Sequence, residues 1–220
     1  MSGTVFHLVR HASHDLLGKV LVGRGPVSLS EAGRAEAQAV AAVLAVAGLA
    51  AVVSSPQERA LQTAGPIAAG AGLEVAVDAG LAELDLGEWT GARFGTLHDD
   101  PRWRAFNVFR GSAPVPGGES MLAVQARAVA SLLRLNDAHP GGAVAVVSHA
   151  DVIKAVLVHF LGMPLDLMRR FDVAPGSRSV VALYQEDAVV QAVNLPPGRS
   201  GRAVGGDGGL VSLYGGVTDP

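Results

Sequence analysis

The side chains best suited to chemistry in this chain are two arginines, two histidines and one glutamate, each of which follows a short apolar run. They are Arg10, His11, Arg59, Glu83 and His149. Guanidinium groups bind phosphate oxygens through paired hydrogen bonds and stay charged at any working pH. Imidazole acts as a nucleophile or a base near neutrality, and a carboxylic acid supplies a proton. Together these groups are what phosphoryl transfer requires.

Four apolar runs rich in β-branched residues predict buried strands, and helical stretches separate them. This alternation predicts an α/β fold, a three-layer α/β/α sandwich with a mostly parallel central sheet. Two further runs predict a closing hairpin that adds an antiparallel edge. Because ligands bind at the carboxyl ends of parallel strands, we expect residues after the first, second and fourth strands to converge on one pocket. The predicted strands are Val5–Val9, Ala50–Val53, Leu73–Val77, Ala143–Val147, Ser179–Tyr184 and Val189–Asn194.

Capping residues and apolar periodicity predict where the helices lie. Ser30 is a predicted N-cap, and Pro56 is expected to open a helix because proline is tolerated in a first turn. Pro101 is expected to break a segment that is otherwise irregular to helical. The predicted helices cover roughly residues 30–47, 56–69, 94–109, 120–138 and 152–161.

Composition predicts one domain and excludes several classes of function. The chain has 220 residues, of which 49% are hydrophobic and 17% charged, so residues 1–195 are expected to form a single domain. Residues 196–220 are rich in glycine and proline and are expected to be a flexible tail. A net charge of -3 argues against a nucleic-acid partner, and the absence of cysteine excludes a thiol nucleophile.

Membrane and metal functions are not expected either. The first residues enter a strand without a basic and apolar leader, and no run of about 20 apolar residues occurs, which predicts a cytoplasmic protein without a membrane partner. His7, His11 and His14 are spaced for a helix but lie on a predicted strand and loop, where they would not share a face. We therefore expect no metal and no other cofactor.

The order of the motifs resembles the histidine phosphatase superfamily, branch 1, also called phosphoglycerate-mutase-like. The motifs are Leu-Val-Arg-His-Ala at 8–12, Ser-Ser-Pro-Gln-Glu-Arg at 54–59, Glu83 before Leu-Asp-Leu-Gly-Glu-Trp, and Ser-His-Ala at 148–150. Two segments resemble the family's helix starts, Leu-Ser-Glu-Ala-Gly at 29–33 and Gly-Gly-Glu-Ser at 117–120. The resemblance covers about residues 4–184 and implies the same fold.

The resemblance also implies a role for each candidate residue. His11 would be the nucleophile that becomes phosphohistidine, and Glu83 would donate the proton to the leaving group and then activate water. The phosphoryl group would be held by Arg10, Arg59 and His149, with Arg24 as an additional phosphate-side arginine. Separately, the backbone at Ala150 lies where a helix start can stabilise an anion.

Three features of the sequence leave alternatives open. Ala12 stands where the family usually has glycine, and Ser13-His14 replaces its acidic residue and hydroxyl residue. His14 would either edge the pocket or be solvated. Residues 93–118, which include several arginines and Trp103, would be either a solvated amphipathic segment or a cap over the site.

The leading hypothesis is a metal-independent phosphomonoester hydrolase, a histidine-type acid phosphatase that acts on a small phosphorylated metabolite. The short segment 84–118 favours hydrolysis because a small cap excludes less water. One alternative is a cofactor-dependent phosphoglycerate-type mutase, and another is a protein that binds phosphorylated ligands without catalysis. A homodimer formed through an apolar helix face is a further hypothesis.

Overall fold

A mixed sheet of six strands forms the centre of the protein. The computed structural model describes residues 3–198. The strands lie in the order β3-β2-β4-β1-β5-β6; the first four are parallel, and β5 and β6 are antiparallel additions at one side. The predicted mostly parallel sheet and its antiparallel hairpin are both confirmed. The strands are β1 Thr4–Arg10, β2 Leu49–Ser54, β3 Val75–Val77, β4 Ala143–Ser148, β5 Arg178–Leu183 and β6 Ala188–Leu195.

Six helices lie within residues 3–198, and three of them, the first, the fourth and the fifth, begin at a residue whose side chain caps the helix. The Ser30 hydroxyl accepts a hydrogen bond from the Gly33 N–H, and the Ser120 hydroxyl accepts one from the Ala123 N–H. Three short 3₁₀ turns lie between the longer elements. The helices are α1 Glu31–Leu44, α2 Glu58–Ala71, α3 Phe94–Leu97, α4 Pro101–Val108, α5 Met121–Ala138 and α6 Ala150–Phe160.

The side chains of β4 alternate between the two faces of the sheet. Ala145 and Val147 pack in the core that includes the buried residues of α1 and α2. Val144 and Val146 pack in the larger core with the buried residues of α5 and α6. Because successive residues of a strand point to opposite faces, the sheet is covered on both sides. The predicted three-layer α/β/α sandwich is thereby confirmed.

The prolines show where the helix predictions hold and where they fail. The prediction for Pro56 is wrong: this residue lies outside α2, because the Gln57 backbone is still extended and the helix begins at Glu58. The predicted interruption at Pro101 is confirmed: α3 ends at Leu97, and Pro101 occupies the first position of α4, where its missing N–H has no helical partner to lose. Pro66 lies within α2, inside the predicted helix.

Two further expectations concern the ends of the chain and the membrane. Most of the tail predicted at 196–220 lies outside the described residues, which end at 198. Between residues 3 and 198, the structure contains no helix with the length and apolarity needed to span a membrane.

The loop that follows β1 is held tightly against the start of α1. The Ser13 N–H and hydroxyl both donate to the Glu36 carboxylate, each at 2.8 Å, and the Ser30 N–H donates to the Ser13 carbonyl at 3.0 Å. Gly33 packs so closely that a Cβ atom at this position would overlap the Ser13 carbonyl. The position of residues 11–14 therefore depends on α1.

The variant Gly33→Ala should displace this loop. We expect a loss of about 1–3 kcal/mol in the free energy of unfolding, because the added methyl group meets backbone that must move. Gly70→Ala is the matched control: Gly70 lies in the last turn of α2, where an added Cβ atom would come no closer than 3.9 Å to the Ala45 side chain, so alanine should be neutral or stabilise the protein by up to about 1 kcal/mol. Urea unfolding of both variants tests this, and equal effects would contradict the packing argument.

Candidate active site

A cavity of about 350 Å³ opens where β1, β2 and β4 end. Its polar end is lined by five of the predicted site residues, so the fold does bring these separate segments together. His149, although fully buried, does not line the cavity and lies beside it, with its ring centroid 5.2 Å from that of His11. The five lining residues are Arg10, His11, Arg59, Glu83 and Ala150.

His11 has the protonation pattern of a nucleophile. Its Nδ1 lies 2.9 Å from the Ala12 carbonyl oxygen, which only accepts, so Nδ1 carries the proton and Nε2 keeps its lone pair. Burial, followed by the charges of Arg59 and Arg10, holds the pKa of His11 well below its usual value. The neutral imidazole therefore persists near neutrality.

His149 is fixed by hydrogen bonds at both ring nitrogens. Nη2 of Arg59 lies 3.1 Å from Nδ1, and because guanidinium only donates, Nδ1 accepts. The Nε2–H then points to the Ser55 hydroxyl at 2.7 Å and to Oε1 of Gln57 at 3.1 Å. Burial, followed by the charges of His11 and Arg59, holds the pKa of His149 well below its usual value.

Two arginines make the polar end of the cavity electropositive. Backbone carbonyls orient them: Arg10 donates to Val173 at 2.7 Å, and Arg59 donates to Gly23 at 2.7 Å. Burial lowers the pKa of both guanidiniums, and the Glu83 charge opposes this shift. The Nε groups of both arginines are buried without a hydrogen-bond partner. A buried cation at Arg59 and a partly buried one at Arg10, both weakly compensated, favour the binding of an anion.

Glu83 is a largely buried carboxyl group, 16% exposed, and its pKa is raised towards neutrality. Its Oε1 accepts from the Leu84 N–H at 2.9 Å, and its Oε2 lies 3.9 Å from Nη2 of Arg59. Burial, followed by the charge of Asp151, raises the pKa of Glu83 to about 7, although the charge of Arg59 opposes the rise. Such a group can donate a proton and later accept one at neutral pH.

Arg24, like His149, does not line the cavity, and its hydrogen bonds go to the Glu83 backbone and to Glu119. Its Nε donates to the Glu83 carbonyl at 2.9 Å, and its Nη2 donates to the Glu119 carboxylate at 2.9 Å. Arg127 binds the same carbonyl and the same carboxylate, at 3.2 and 3.0 Å from its Nη2. Arg24 therefore supports the backbone that carries Glu83, and a direct contact with substrate stays a prediction.

His14 lies at the cavity and not in solvent. It is buried, it lines the cavity, and its ring stacks on His11 with centroids 5.5 Å apart. Burial, followed by the charges of Arg59 and Arg10, lowers its pKa to about 4. The ring is therefore neutral, and its Nδ1 is buried without a hydrogen-bond partner.

Sequence reasoning assigned no role to several residues that complete the site. Ser55 and Gln57 orient His149, and Oε1 of Gln57 also accepts from the Glu83 N–H at 3.2 Å. Asp151, in the first turn of α6, lines the cavity and accepts from Arg110 at 3.0 Å. Ser55 and Gln57 stood in a recognised motif, but only the fold reveals which groups they contact.

No group of three or more histidine or acidic side chains within residues 3–198 is arranged to hold a metal ion. The cations that face the polar end are the two guanidiniums of Arg10 and Arg59. That the reaction proceeds without a metal stays a prediction, to be tested directly.

The chain belongs to branch 1 of the histidine phosphatase superfamily, whose family model matches residues 6–196. The resemblance inferred from the motifs is thus confirmed. The first curated relatives include a bifunctional protein of Mycobacterium tuberculosis, 35% identical over 184 residues that make up 82% of this chain and 50% of that protein. The chain spans about half the length of these first relatives.

Two further comparisons concern glucosyl-3-phosphoglycerate phosphatase. The Mycobacterium tuberculosis enzyme is 33% identical over 172 residues, which cover 72% of this chain and 75% of that enzyme. The solved structure of mycobacterial glucosyl-3-phosphoglycerate phosphatase superposes with a TM-score of 0.81 at 27% identity, covering 88% of this chain and 99% of that one. The fold of the chain is therefore that of the histidine phosphatases.

Replacement of Glu83 by glutamine should stabilise the protein above pH 7. The pKa of Glu83 is raised from 4.5 to about 7 in the folded state, so the folded state binds more protons between these values. The wild type therefore loses stability relative to Glu83→Gln as the pH rises through this window, by up to about 3 kcal/mol at 1.4 kcal/mol per pKa unit.

Urea unfolding at pH 4.5, 6 and 8 measures this difference. Glu74→Gln, which removes an exposed carboxylate, controls for the loss of a charge as such. A stability difference between wild type and Glu83→Gln that stays constant across the three pH values would contradict the raised pKa.

Proposed function

We propose that this protein is a phosphomonoester hydrolase that acts on a small phosphorylated substrate through a phosphohistidine intermediate. The proposal rests on one observation: an imidazole with an unprotonated nitrogen and a protonated carboxyl group lie at the same site. His11 is neutral with a free Nε2. The pKa of Glu83 is about 7, so Glu83 keeps its proton up to about that pH. A nucleophile and an acid poised at the same pH beside two guanidiniums are suited to breaking a phosphate ester.

In the first step, Nε2 of His11 attacks phosphorus and the bond to the leaving oxygen breaks. Glu83 gives its proton to that oxygen, so the product leaves as a neutral alcohol and the carboxylate remains. In the second step, the Glu83 carboxylate takes a proton from water, the water oxygen attacks phosphorus, and the phosphorus–nitrogen bond breaks. Inorganic phosphate leaves, and both residues return to their starting protonation states.

Arg10, Arg59 and His149 would hold the phosphoryl oxygens. Nδ1 of His149 faces Arg59 and lies 3.6 Å from Oε2 of Glu83, at the edge of the polar end. A bound phosphate dianion raises the pKa of a neighbouring imidazole. His149 would then take up a proton at Nδ1 and donate a hydrogen bond to the phosphoryl group.

The comparisons support a small substrate. Solved structures similar to this chain include a phosphoserine phosphatase mutant of Entamoeba histolytica in complex with phosphoserine, with a TM-score of 0.78 at 26% identity over 87% of this chain and 96% of that one. The glucosyl-3-phosphoglycerate phosphatases also act on a small ester, according to their names. The cavity of about 350 Å³ is of the size that such ligands occupy.

His11→Ala should abolish hydrolysis of an aryl phosphate, with a loss of at least about 10³-fold in kcat because the covalent route is closed. Wild-type activity should survive a chelator, since Arg10 and Arg59 neutralise the charge in place of a metal. Quenching the wild type and a ³²P-labelled substrate in alkaline detergent should trap a phosphoenzyme that is stable to base, labile to acid and absent from the variant. Activity that persists in His11→Ala, or that a chelator abolishes, would overturn the mechanism.

Two outcomes of the same assay would point to another function. Activity seen only with phosphoglycerate and a bisphosphoglycerate primer would indicate a mutase. Ligand-induced stabilisation of both wild type and His11→Ala, without turnover of any ester, would indicate a binding protein.

Glu83→Gln should slow poor leaving groups more than good ones. A nitrophenolate leaves without help, whereas an alkoxide needs the proton that glutamine cannot give. We expect kcat for an alkyl phosphate to fall by about 10²–10⁴-fold. The rate constant for phosphorylation of the enzyme by p-nitrophenyl phosphate, measured in the pre-steady-state burst, should fall much less. Equal losses for both substrates would contradict a role as general acid.

A further inference from the structure

The cavity has a second end that phosphoryl chemistry does not use. The rest of the lining, which we call the apolar end, consists mainly of aliphatic and aromatic side chains. Four aliphatic residues from the stretch that follows His14 contribute to this apolar end, together with two leucines from the Glu83 loop. Three aromatic side chains from α3 and α4 complete it. The lining residues are Leu17, Val20, Leu21, Val22, Leu84, Leu86, Phe94, Trp103 and Phe106.

The aromatic side chains form one packed wall. Trp103 lies with its ring 6.3 Å from Phe94 and 6.0 Å from Phe106, and its edge meets buried Trp89 at 5.2 Å. Phe106 is fully buried, whereas Phe94 is 39% exposed and stands where the wall meets solvent. A wall of this kind contributes apolar contact and, apart from the indole N–H of Trp103, no hydrogen-bond donor for a charged ligand group.

The other acidic side chain in the cavity lining is already paired within the protein. Asp151 is the acidic side chain that lines the cavity beside Glu83, and it binds Nη1 of Arg110 at 3.0 Å. Arg110 itself is buried, with its guanidinium 4.2 Å from the centre of the Phe106 ring, and it does not line the cavity. This pair therefore offers no free charge to a ligand.

Cations for a second anionic group are missing among the described residues that line the cavity. Arg10 and Arg59 are the cationic side chains in that lining, and both belong to the phosphoryl end. Lys19 stands between two lining residues, but its own side chain is exposed and does not line the cavity. Arg93 beside Phe94 is exposed as well. A carboxylate on the leaving group would lose water here without gaining a partner.

We propose that the apolar end selects phosphomonoesters of uncharged, largely apolar alcohols or phenols and disfavours leaving groups that carry a carboxylate. This inference rests on the proposed function, since it assigns the leaving group of the same reaction. The proposed substrate differs from the phosphoglycerate ester that appears in the names of some relatives, because a phosphoglycerate carries a carboxylate that this cavity does not pair.

Two aryl esters with leaving phenols of similar acidity provide the test. The substrates are 1-naphthyl phosphate and 4-carboxyphenyl phosphate, which present an apolar ring or a carboxylate to the same end of the cavity. We expect kcat/KM of the wild type to favour the naphthyl ester by at least about tenfold, with the difference mainly in KM.

A variant of the wall identifies the cause of the preference. Phe94→Ser should raise KM for the naphthyl ester by about three- to tenfold and leave that for the carboxyphenyl ester nearly unchanged. Phe109→Ser is the matched control, because Phe109 is likewise an exposed phenylalanine (55%), directly follows α4 and does not line the cavity. It should alter neither KM.

The outcomes separate the inference from the function on which it rests. Comparable hydrolysis of both esters, or a preference for the carboxylate, would overturn the inference and leave the proposed hydrolase intact. Equal effects of Phe94→Ser on the two esters would also overturn it. Hydrolysis of neither ester, nor of p-nitrophenyl phosphate, would overturn the proposed function and the inference together.

Discussion

The structure of the site depends on the burial of two guanidiniums beside two imidazoles. Arg10 and Arg59 cannot lose their charge, so the neighbouring groups adjust their protonation around them. Burial and these charges keep His11 and His149 neutral. Glu83 would ordinarily be ionised next to arginine, but its own burial and the nearby Asp151 outweigh that attraction. A site with two buried cations and a protonated acid is incomplete until an anion enters it.

That electrostatic arrangement requires rigid support, which the backbone supplies. The carbonyls of Val173 and Gly23 orient the two arginines, and the Ser148 carbonyl accepts from the His11 N–H at 2.8 Å. The loop after β1 is held by Glu36 and by the close approach of Gly33. Because main-chain contacts carry so much of the geometry, the sheet and its helices determine the site as much as the reactive side chains do.

A second set of side chains fixes the partners of the reactive groups. Gln57 links His149 to the Glu83 backbone, and Arg24 and Arg127 bind the Glu83 carbonyl from another direction. Glu83 thus projects from a segment that is restrained on both sides, which keeps its buried carboxyl group next to the cavity. The aromatic side chains of α3 and α4 give the other end of the cavity an apolar character. This contrast between a charged end and an apolar end is the basis of the proposed substrate specificity.

The sequence by itself determined the order of strands and helices along the chain and the family. It also indicated the five polar residues that the fold brings together, Arg10, His11, Arg59, Glu83 and His149. Strand periodicity and short motifs are local properties, so they can be recognised without coordinates. Only the tertiary structure decided that Arg24 supports the Glu83 loop, that His14 stacks on His11, and that Phe94 and Trp103 line the cavity. These facts depend on contacts between residues far apart in the chain. Protonation states belong to the same class, because burial and the distances to charges exist only in the folded chain.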